Sequence, residues 1–84
     1  MSASTAWVYL LRCADGSLYC GWAADLDARV DKHQTGTASR YTRTRLPVEL
    51  VWSKPVSDRS AALREEWRIK QLTRAQKLRL IAEG

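Results

Sequence analysis

The sequence has no apolar run long enough to cross a lipid bilayer, which takes about 20 residues of helix. Its first residues show no basic segment followed by an apolar one, so we expect no signal peptide. The two cysteines, Cys13 and Cys20, are too few for a disulfide framework and match no metal-ligand spacing. These absences favour a protein of the cytoplasm, where both thiols stay reduced.

Phenylalanine is absent as well, so the aromatic area of this 84-residue chain comes from four tryptophans and three tyrosines. The length predicts a single domain over 1–84, with a small core that spans about 6–82. The 14 Lys and Arg outnumber the 9 Asp and Glu, which gives a net charge of +5. Such an excess favours a polyanionic partner.

Two runs rich in β-forming residues predict the strands of a hairpin: 6–13 and 17–22. They flank Ala14-Asp15-Gly16. With a two-residue loop, Tyr9 and Tyr19 would point to opposite faces, because side chains alternate along a strand. A three-residue loop with Gly16 in the left-handed conformation pairs Tyr9 with Gly21 and puts both tyrosines on one face. We predict the three-residue loop, since a shared site needs it.

Periodicity and capping residues predict the remaining elements. A helix over 26–35 follows Asp25 and ends at Gly36, and a polar, basic loop over 37–46 leads to a third strand over 48–52 that Pro55 closes. A helix over 59–72 begins after Ser57 or Asp58, and a last helix over 74–83 begins with a Thr73–Gln76 capping box. The order ββαβαα predicts an α+β domain, a small three-stranded antiparallel sheet flanked by helices.

Tyrosine, arginine and histidine in this pattern suit phosphate chemistry. A phenol could accept a proton from water that attacks phosphorus, but a free phenol with a pKa near 10 is a poor base at pH 7. Arg29 is the cation that could favour the phenolate, and its guanidinium could also bind a phosphate. His33, the only histidine, follows Arg29 by one helical turn and could bind phosphate or relay a proton. The alternative is ordinary sheet aromatics, a solvated arginine and a histidine that caps a helix.

A carboxylate lies on the apolar side of the 59–72 helix. Ala62, Leu63, Ile69 and Leu72 form an apolar stripe, with Glu66 inside it and Glu65 toward its Leu72 side, so periodicity does not separate the two cleanly. An ionised Glu on an apolar surface is costly unless it is paired or binds a metal, so either residue is a candidate. A single carboxylate suits Mg²⁺, which keeps most of its waters, and does not suit a two-metal centre. The alternative is an ion pair with a nearby Arg or Lys.

The 37–46 loop mixes cations, hydroxyl groups and one aromatic ring. This composition fits contacts with a nucleic-acid backbone and stacking on a base, although a solvated loop would look the same. The candidate nucleic-acid-binding residues are Arg40, Tyr41, Arg43 and Arg45.

In order and spacing these segments resemble the GIY-YIG nuclease superfamily, and in particular its small stand-alone bacterial proteins. The matching segments are Val-Tyr-Leu-Leu-Arg-Cys-Ala-Asp-Gly-Ser-Leu-Tyr-Cys-Gly over 8–21, Asp25-Leu26-x-x-Arg29-x-x-x-His33, Tyr41-Thr42-Arg43, residues 58–63, and Glu66-Trp67-x-Ile69-Lys70. Two positions depart from the family pattern: Trp7 replaces a Gly, and Cys20 replaces an Ile or Thr. Alternation along the strand turns Cys20 away from the tyrosines.

The resemblance implies an endonuclease that uses Mg²⁺, or Mn²⁺ in its place, to hydrolyse DNA phosphodiester bonds in repair or recombination, with branched and single-stranded DNA as candidate forms. It implies that Glu66, and not Glu65, binds the metal. The residues that it assigns to catalysis are Tyr9, Tyr19, Arg29, His33 and Glu66. The alternative is a non-catalytic nucleic-acid-binding module, and a scaffold for a larger repair complex has no support in the sequence.

Overall fold

A computed structural model describes residues 6–84 of the chain. The elements are β1 (Ala6–Arg12), β2 (Leu18–Ala23), α1 (Leu26–Gln34), α2 (Arg40–Arg43), β3 (Glu49–Val56), α3 (Arg59–Lys70) and α4 (Arg74–Glu83). The three strands form one antiparallel sheet in the order β2-β1-β3. The predicted α+β class is confirmed, and so is the ββαβαα order of the longer elements, to which the structure adds the short helix α2 before β3. Within residues 6–84 no helix is long and apolar enough to cross a membrane.

The hairpin adopts the predicted three-residue loop. Cys13 donates its backbone N–H to Ser17, and Gly16 takes a positive φ of 85°. This register places Tyr9 opposite Gly21 and Leu11 opposite Tyr19. Because side chains alternate along each strand, both tyrosines project from the same face of the sheet.

Two sequence predictions about loops are wrong. The 37–46 segment is not all loop, because Ser39 caps the short helix α2 by accepting a hydrogen bond from the Tyr41 N–H. Pro55 does not close the third strand, which continues to Val56. A proline is tolerated there because β3 is an edge strand, where a missing N–H need not break a ladder bond.

Local capping explains where the longer helices begin. Asp25 accepts from the Ala28 N–H at the start of α1, and Asp58 accepts from the Ala61 N–H at the start of α3. The capping box predicted before α4 is present with both of its hydrogen bonds: the Gln76 N–H donates to the Thr73 hydroxyl, and the Thr73 N–H donates to the Gln76 side chain. Gly36 has a positive φ of 78° just beyond α1, as its role in ending that helix requires.

The sheet separates two apolar clusters. On one face the cluster packs beneath α3 and α4, and it contains Val8, Leu10, Cys20, Ala62 and Ile69, with Leu80 and Ile81 at its border. On the other face the cluster packs beneath α1, and it contains Tyr9, Leu11, Cys13, Ala23 and Val48, with Tyr19, Leu26 and Val30 at its border. The two free cysteines therefore lie on opposite faces, with Cys20 turned away from the tyrosines as predicted. Leu63 departs from the predicted apolar stripe, since it is 43% exposed.

Candidate active site

Four of the five predicted catalytic side chains meet on the α1 face of the sheet. The Tyr9 and Tyr19 rings lie 6.5 Å apart between centroids, and the His33 ring lies 5.8 Å from the first and 5.1 Å from the second. Arg29 donates a 3.5 Å hydrogen bond to the Trp22 carbonyl and lies close enough to influence the pKa of both Tyr9 and His33. The tyrosine register and the one-turn spacing of Arg29 and His33 produce this cluster.

A buried chain of hydrogen bonds runs through His33. Its Nε2 lies 2.9 Å from the Tyr9 hydroxyl, and its Nδ1 lies 2.8 Å from the Thr42 hydroxyl. Thr42 also donates to the Ser39 carbonyl at 3.4 Å, so its only hydroxyl hydrogen is used there. This contact favours the tautomer in which His33 donates through Nδ1–H and its Nε2 accepts the hydrogen of Tyr9. In this chain of hydrogen bonds the Tyr9 O–H donates to His33 Nε2, and the His33 Nδ1–H donates to the Thr42 hydroxyl.

Burial changes the expected acidity of Tyr9. Its side chain is 1% exposed, and loss of hydration, with a smaller effect of Tyr19, raises its pKa to about 12 despite the opposing charge of Arg29. Arg29 does favour the Tyr9 phenolate, as expected, but burial has the larger effect, so the net change is a raised pKa. Forming a free Tyr9 phenolate at pH 7 would cost about 7 kcal/mol, at about 1.36 kcal/mol per pKa unit.

His33 is held in its neutral form. Burial lowers its pKa below the usual value, and the neighbouring charge of Arg29 lowers it further. A neutral imidazole with a free Nε2 lone pair can accept a proton, whereas an imidazolium cannot. An anion that binds Arg29 would weaken one of the two causes that keep His33 neutral, and would raise its proton affinity.

Thr42 is the site residue that sequence reasoning missed. It is fully buried in α2, although it lies between two exposed residues of a segment predicted to be a loop. Ser39 was the available signal, because Ser is a favoured helix N-cap and a short helix there turns its third residue inward. The contact with His33 comes from packing α2 against α1, which local sequence does not reveal.

The predicted nucleic-acid-binding residues divide into two groups. Tyr41 stacks on Tyr19 with ring centroids 5.9 Å apart, and Arg45 lies 3.9 Å above the Tyr41 ring. Arg45 also forms a 3.0 Å ion pair with Asp15 and donates to the Tyr41 carbonyl. These contacts occupy groups that were predicted to meet nucleic acid, whereas Arg40 and Arg43 are exposed and border a groove of about 420 Å³.

The structure distinguishes Glu65 from Glu66, which periodicity left equivalent. Glu65 pairs with Arg68 at 2.7 Å and Lys54 at 3.1 Å, and the Arg68 hydrogen bonds lower its pKa to about 2. Within residues 6–84 Glu66 forms one ion pair, with Lys70 at 3.4 Å. Glu65 is therefore committed to ion pairs, and Glu66 keeps more capacity to bind another cation.

Glu66 lies on α3, across the sheet from most of the cluster. The Cys20 thiol lies 3.9 Å from its backbone carbonyl, and its charge adds to the burial that raises the Cys20 pKa to about 11. Among residues 6–84 no hydrogen bond or ion pair joins Glu66 to either tyrosine. That range also has no group of three or more His, Cys, Asp or Glu placed to hold a metal ion. A metal here would depend on one carboxylate, with water and substrate as its other ligands.

The sequence pattern of the GIY-YIG catalytic domain matches residues 5–79. The chain belongs to the GIY-YIG family. UPF0213 proteins are similar GIY-YIG relatives: one from Staphylococcus epidermidis is 50% identical over 78 residues, covering 93% of this chain and 95% of the relative. One from Staphylococcus aureus is 49% identical over 77 residues, covering 92% and 94%. The family is thus established over nearly the whole chain, and these relatives' names state no activity.

Solved structures agree with the GIY-YIG fold described here. The solution structure of a UPF0213 protein from Bacillus halodurans matches with a TM-score of 0.62 and 38% identity, covering 94% of this chain and 84% of that one. A solution structure from E. faecalis matches with a TM-score of 0.58 and 36% identity, covering 90% and 80%.

Proposed function

We propose that this protein is a divalent-metal-dependent phosphodiesterase that cleaves DNA. The observation that carries the proposal is the buried chain from Tyr9 through His33 to Thr42, with Tyr19 and Arg29 beside it. Membership of the GIY-YIG family supports a nuclease, and the net charge of +5 supports a polyanionic substrate. The two buried free thiols are consistent with a cytoplasmic location.

Tyr9 passes a proton on instead of working as a preformed phenolate. Water attacks phosphorus in line with the leaving 3′ oxygen, and its proton moves to the Tyr9 oxygen as the Tyr9 proton moves to His33 Nε2. The P–O3′ bond breaks, and the leaving oxygen takes a proton from solvent. The transfer is concerted, so the free phenolate, which burial makes costly, does not form.

Arg29 neutralises the phosphate during this step. Its guanidinium stands beside Tyr9 and His33, where two donors can bind phosphate oxygens and offset the charge that grows in the transition state. Binding the anion also partly cancels the Arg29 charge that suppresses protonation of His33. Substrate binding therefore prepares the proton acceptor.

Glu66 is the residue that would hold the metal ion. Its side chain is 19% exposed, and a single amine at 3.4 Å leaves its carboxylate able to bind a further cation. One carboxylate fits Mg²⁺, or Mn²⁺ in its place, with water and substrate oxygens completing the shell. The bound ion would supply Lewis-acid stabilisation of the leaving oxygen.

Cleavage of branched, nicked and single-stranded DNA with and without Mg²⁺ tests the proposal. We expect Mg²⁺-dependent cleavage by the parent, and a rate reduced at least about 100-fold in Tyr9→Phe, which cannot relay a proton. Glu66→Gln should also abolish cleavage, whereas Glu65→Gln should retain it with a small loss of stability. Circular dichroism of each variant controls for folding.

The outcomes separate the proposal from its alternative. If the parent binds DNA but never cleaves it, the protein is a non-catalytic binding module. If Glu65→Gln is inactive and Glu66→Gln is active, the metal assignment is wrong. Cleavage by Tyr9→Phe at the parental rate would exclude the proton relay.

A further inference from the structure

A basic groove lies beside the hairpin, and its two cations belong to neither the candidate active site nor the 37–46 segment. Its volume is about 190 Å³, and it is bounded by Ser17, Leu18, Tyr41, Arg74 and Lys77. The two cations lie three residues apart on α4, so they share one side of that helix. No acidic residue bounds the groove, and neither cation forms an ion pair with a carboxylate anywhere in residues 6–84.

The groove lies at the β2 edge of the sheet, next to the ring that stacks on Tyr19. Tyr41, in its wall, stacks on Tyr19. At its other side, Lys77 is close enough to Cys20 to lower the thiol pKa, against burial and the nearby charge of Glu66. Leu18 begins β2, which is an edge strand of the sheet. A nucleic-acid backbone that followed this free edge would pass the groove and the stacked rings of Tyr41 and Tyr19.

The other two grooves differ from it in charge or place. One of about 460 Å³ is bounded by Asp25 and Asp27, whose carboxylates would repel a phosphate. One of about 420 Å³ is bounded by Arg40 and Arg43, in the segment already predicted to bind nucleic acid. Of these three grooves, only the one bounded by Arg74 and Lys77 combines cations that form no ion pair within residues 6–84 with the Tyr41 ring that stacks on Tyr19.

We propose that Arg74 and Lys77 bind a backbone phosphate of the nucleic-acid substrate next to the one that is cleaved. Arg74 can contact two phosphate oxygens, and Lys77 adds a compact charge from deeper in the groove. Holding the neighbouring phosphate positions the strand along β2, so that the reactive phosphate reaches Tyr19 and Arg29. The inference rests on the proposed function, since it needs a polynucleotide ligand.

Two double variants of equal charge test the groove. Arg74→Gln/Lys77→Gln removes its two cations, and Arg64→Gln/Arg79→Gln removes two exposed cations outside it. Each lowers the net charge of +5 by two, and Gln keeps a good helix former at each position. Fluorescence anisotropy measures binding of a labelled single-stranded oligonucleotide and a labelled duplex without metal, over a range of salt concentrations. Circular dichroism confirms folding.

We expect the groove variant to bind on the order of tenfold more weakly at 0.1 M salt, and to lose about one unit of the slope of log affinity against log salt, because the two cations share one phosphate. The control variant should lose less than about half a unit. Under saturating DNA and Mg²⁺, the cleavage rate of the groove variant should fall by a smaller factor than its DNA affinity, because the variant loses a positioning contact and keeps the reacting groups.

Several outcomes would overturn the inference. Equal losses of affinity in both double variants would show that the groove contributes only through the net charge of the protein. The proposed function would still stand in that case if the parent binds and cleaves DNA. Saturation of the groove by inorganic phosphate with no effect on oligonucleotide binding would assign it to a free anion. A parent that binds no oligonucleotide would remove both proposals together.

Discussion

Gly21→Ala should disrupt the tyrosine cluster through a single methyl group. A Cβ at position 21 would lie 2.6 Å from the Tyr9 hydroxyl oxygen, 2.8 Å from Tyr9 Cζ and 3.1 Å from Tyr19 Cε2. Ordinary contacts of a Cβ begin near 3.4 Å, so the Tyr9 ring must move by almost 1 Å. The room left by the absent side chain is therefore filled by the tyrosine opposite.

The loss of folding stability in Gly21→Ala depends on how tightly the surrounding residues hold the Tyr9 ring. Its ring is buried and cannot swing into solvent, so the added methyl produces overpacking worth about 1–3 kcal/mol. Displacing the hydroxyl from His33 also removes a buried hydrogen bond, for about 1 kcal/mol more. The sum of about 2–4 kcal/mol is a large share of the stability of a small domain, which is typically about 5–15 kcal/mol.

Urea unfolding measures the loss, with Gly16→Ala as the matched control. Position 16 has open space around its Cβ, but its φ of 85° strains any side chain, for about 1–2 kcal/mol. Both variants lose stability, and only Gly21→Ala should shift the imidazole NMR signals of His33 and abolish cleavage. If Gly21→Ala unfolds within about 0.5 kcal/mol of the parent and leaves the His33 signals unchanged, the packing argument fails.

Three further predictions concern acid stability, nucleic-acid affinity and the histidine tautomer. The folded-state pKa of Glu65 is about 2 against a usual 4.5, so its ion pairs stabilise above pH 4.5 and their contribution fades as pH falls toward 2. Glu65→Gln should then lower the free energy of unfolding, measured in urea, by about 1 kcal/mol at pH 7 and by almost nothing near pH 2. The loss at pH 7 is small because the partner cations are half exposed. A difference that does not change with pH would contradict this prediction. Replacing Arg40 and Arg43 by Ala should flatten the salt dependence of DNA binding by about two units, and an unchanged slope would make α2 a solvated connector. Thr42→Val should cost about 1–3 kcal/mol by stranding the His33 Nδ1–H, whereas Thr42→Ser should retain the ¹⁵N NMR signature of that tautomer; equal effects of the two would show that the hydroxyl is not needed.

Local rules were enough to predict the framework of the site from sequence. Gly16 in a three-residue loop determines the hairpin register, and the register determines that Tyr9 and Tyr19 share a face. Helical spacing aligns Arg29 with His33, and Asp25 determines where their helix begins. Each of these features depends on residues close in the chain, so pleat, turn and cap geometry were sufficient once the need for a shared site had selected the three-residue loop over the two-residue one.

The acidity and connections of the same residues depended on the tertiary structure. Burial raises the Tyr9 pKa more than Arg29 lowers it, and the balance depends on α1 and the sheet closing over the ring. Thr42 becomes a partner of His33 only when α2 packs against α1. The same holds for the ion pairing of the glutamates of α3, because Lys54 on β3 reaches Glu65, whereas Glu66 pairs with Lys70 of its own helix. Pattern and spacing in the sequence determine which side chains share a face, whereas desolvation and pairing across distant segments, which no local pattern encodes, decide what each can do chemically.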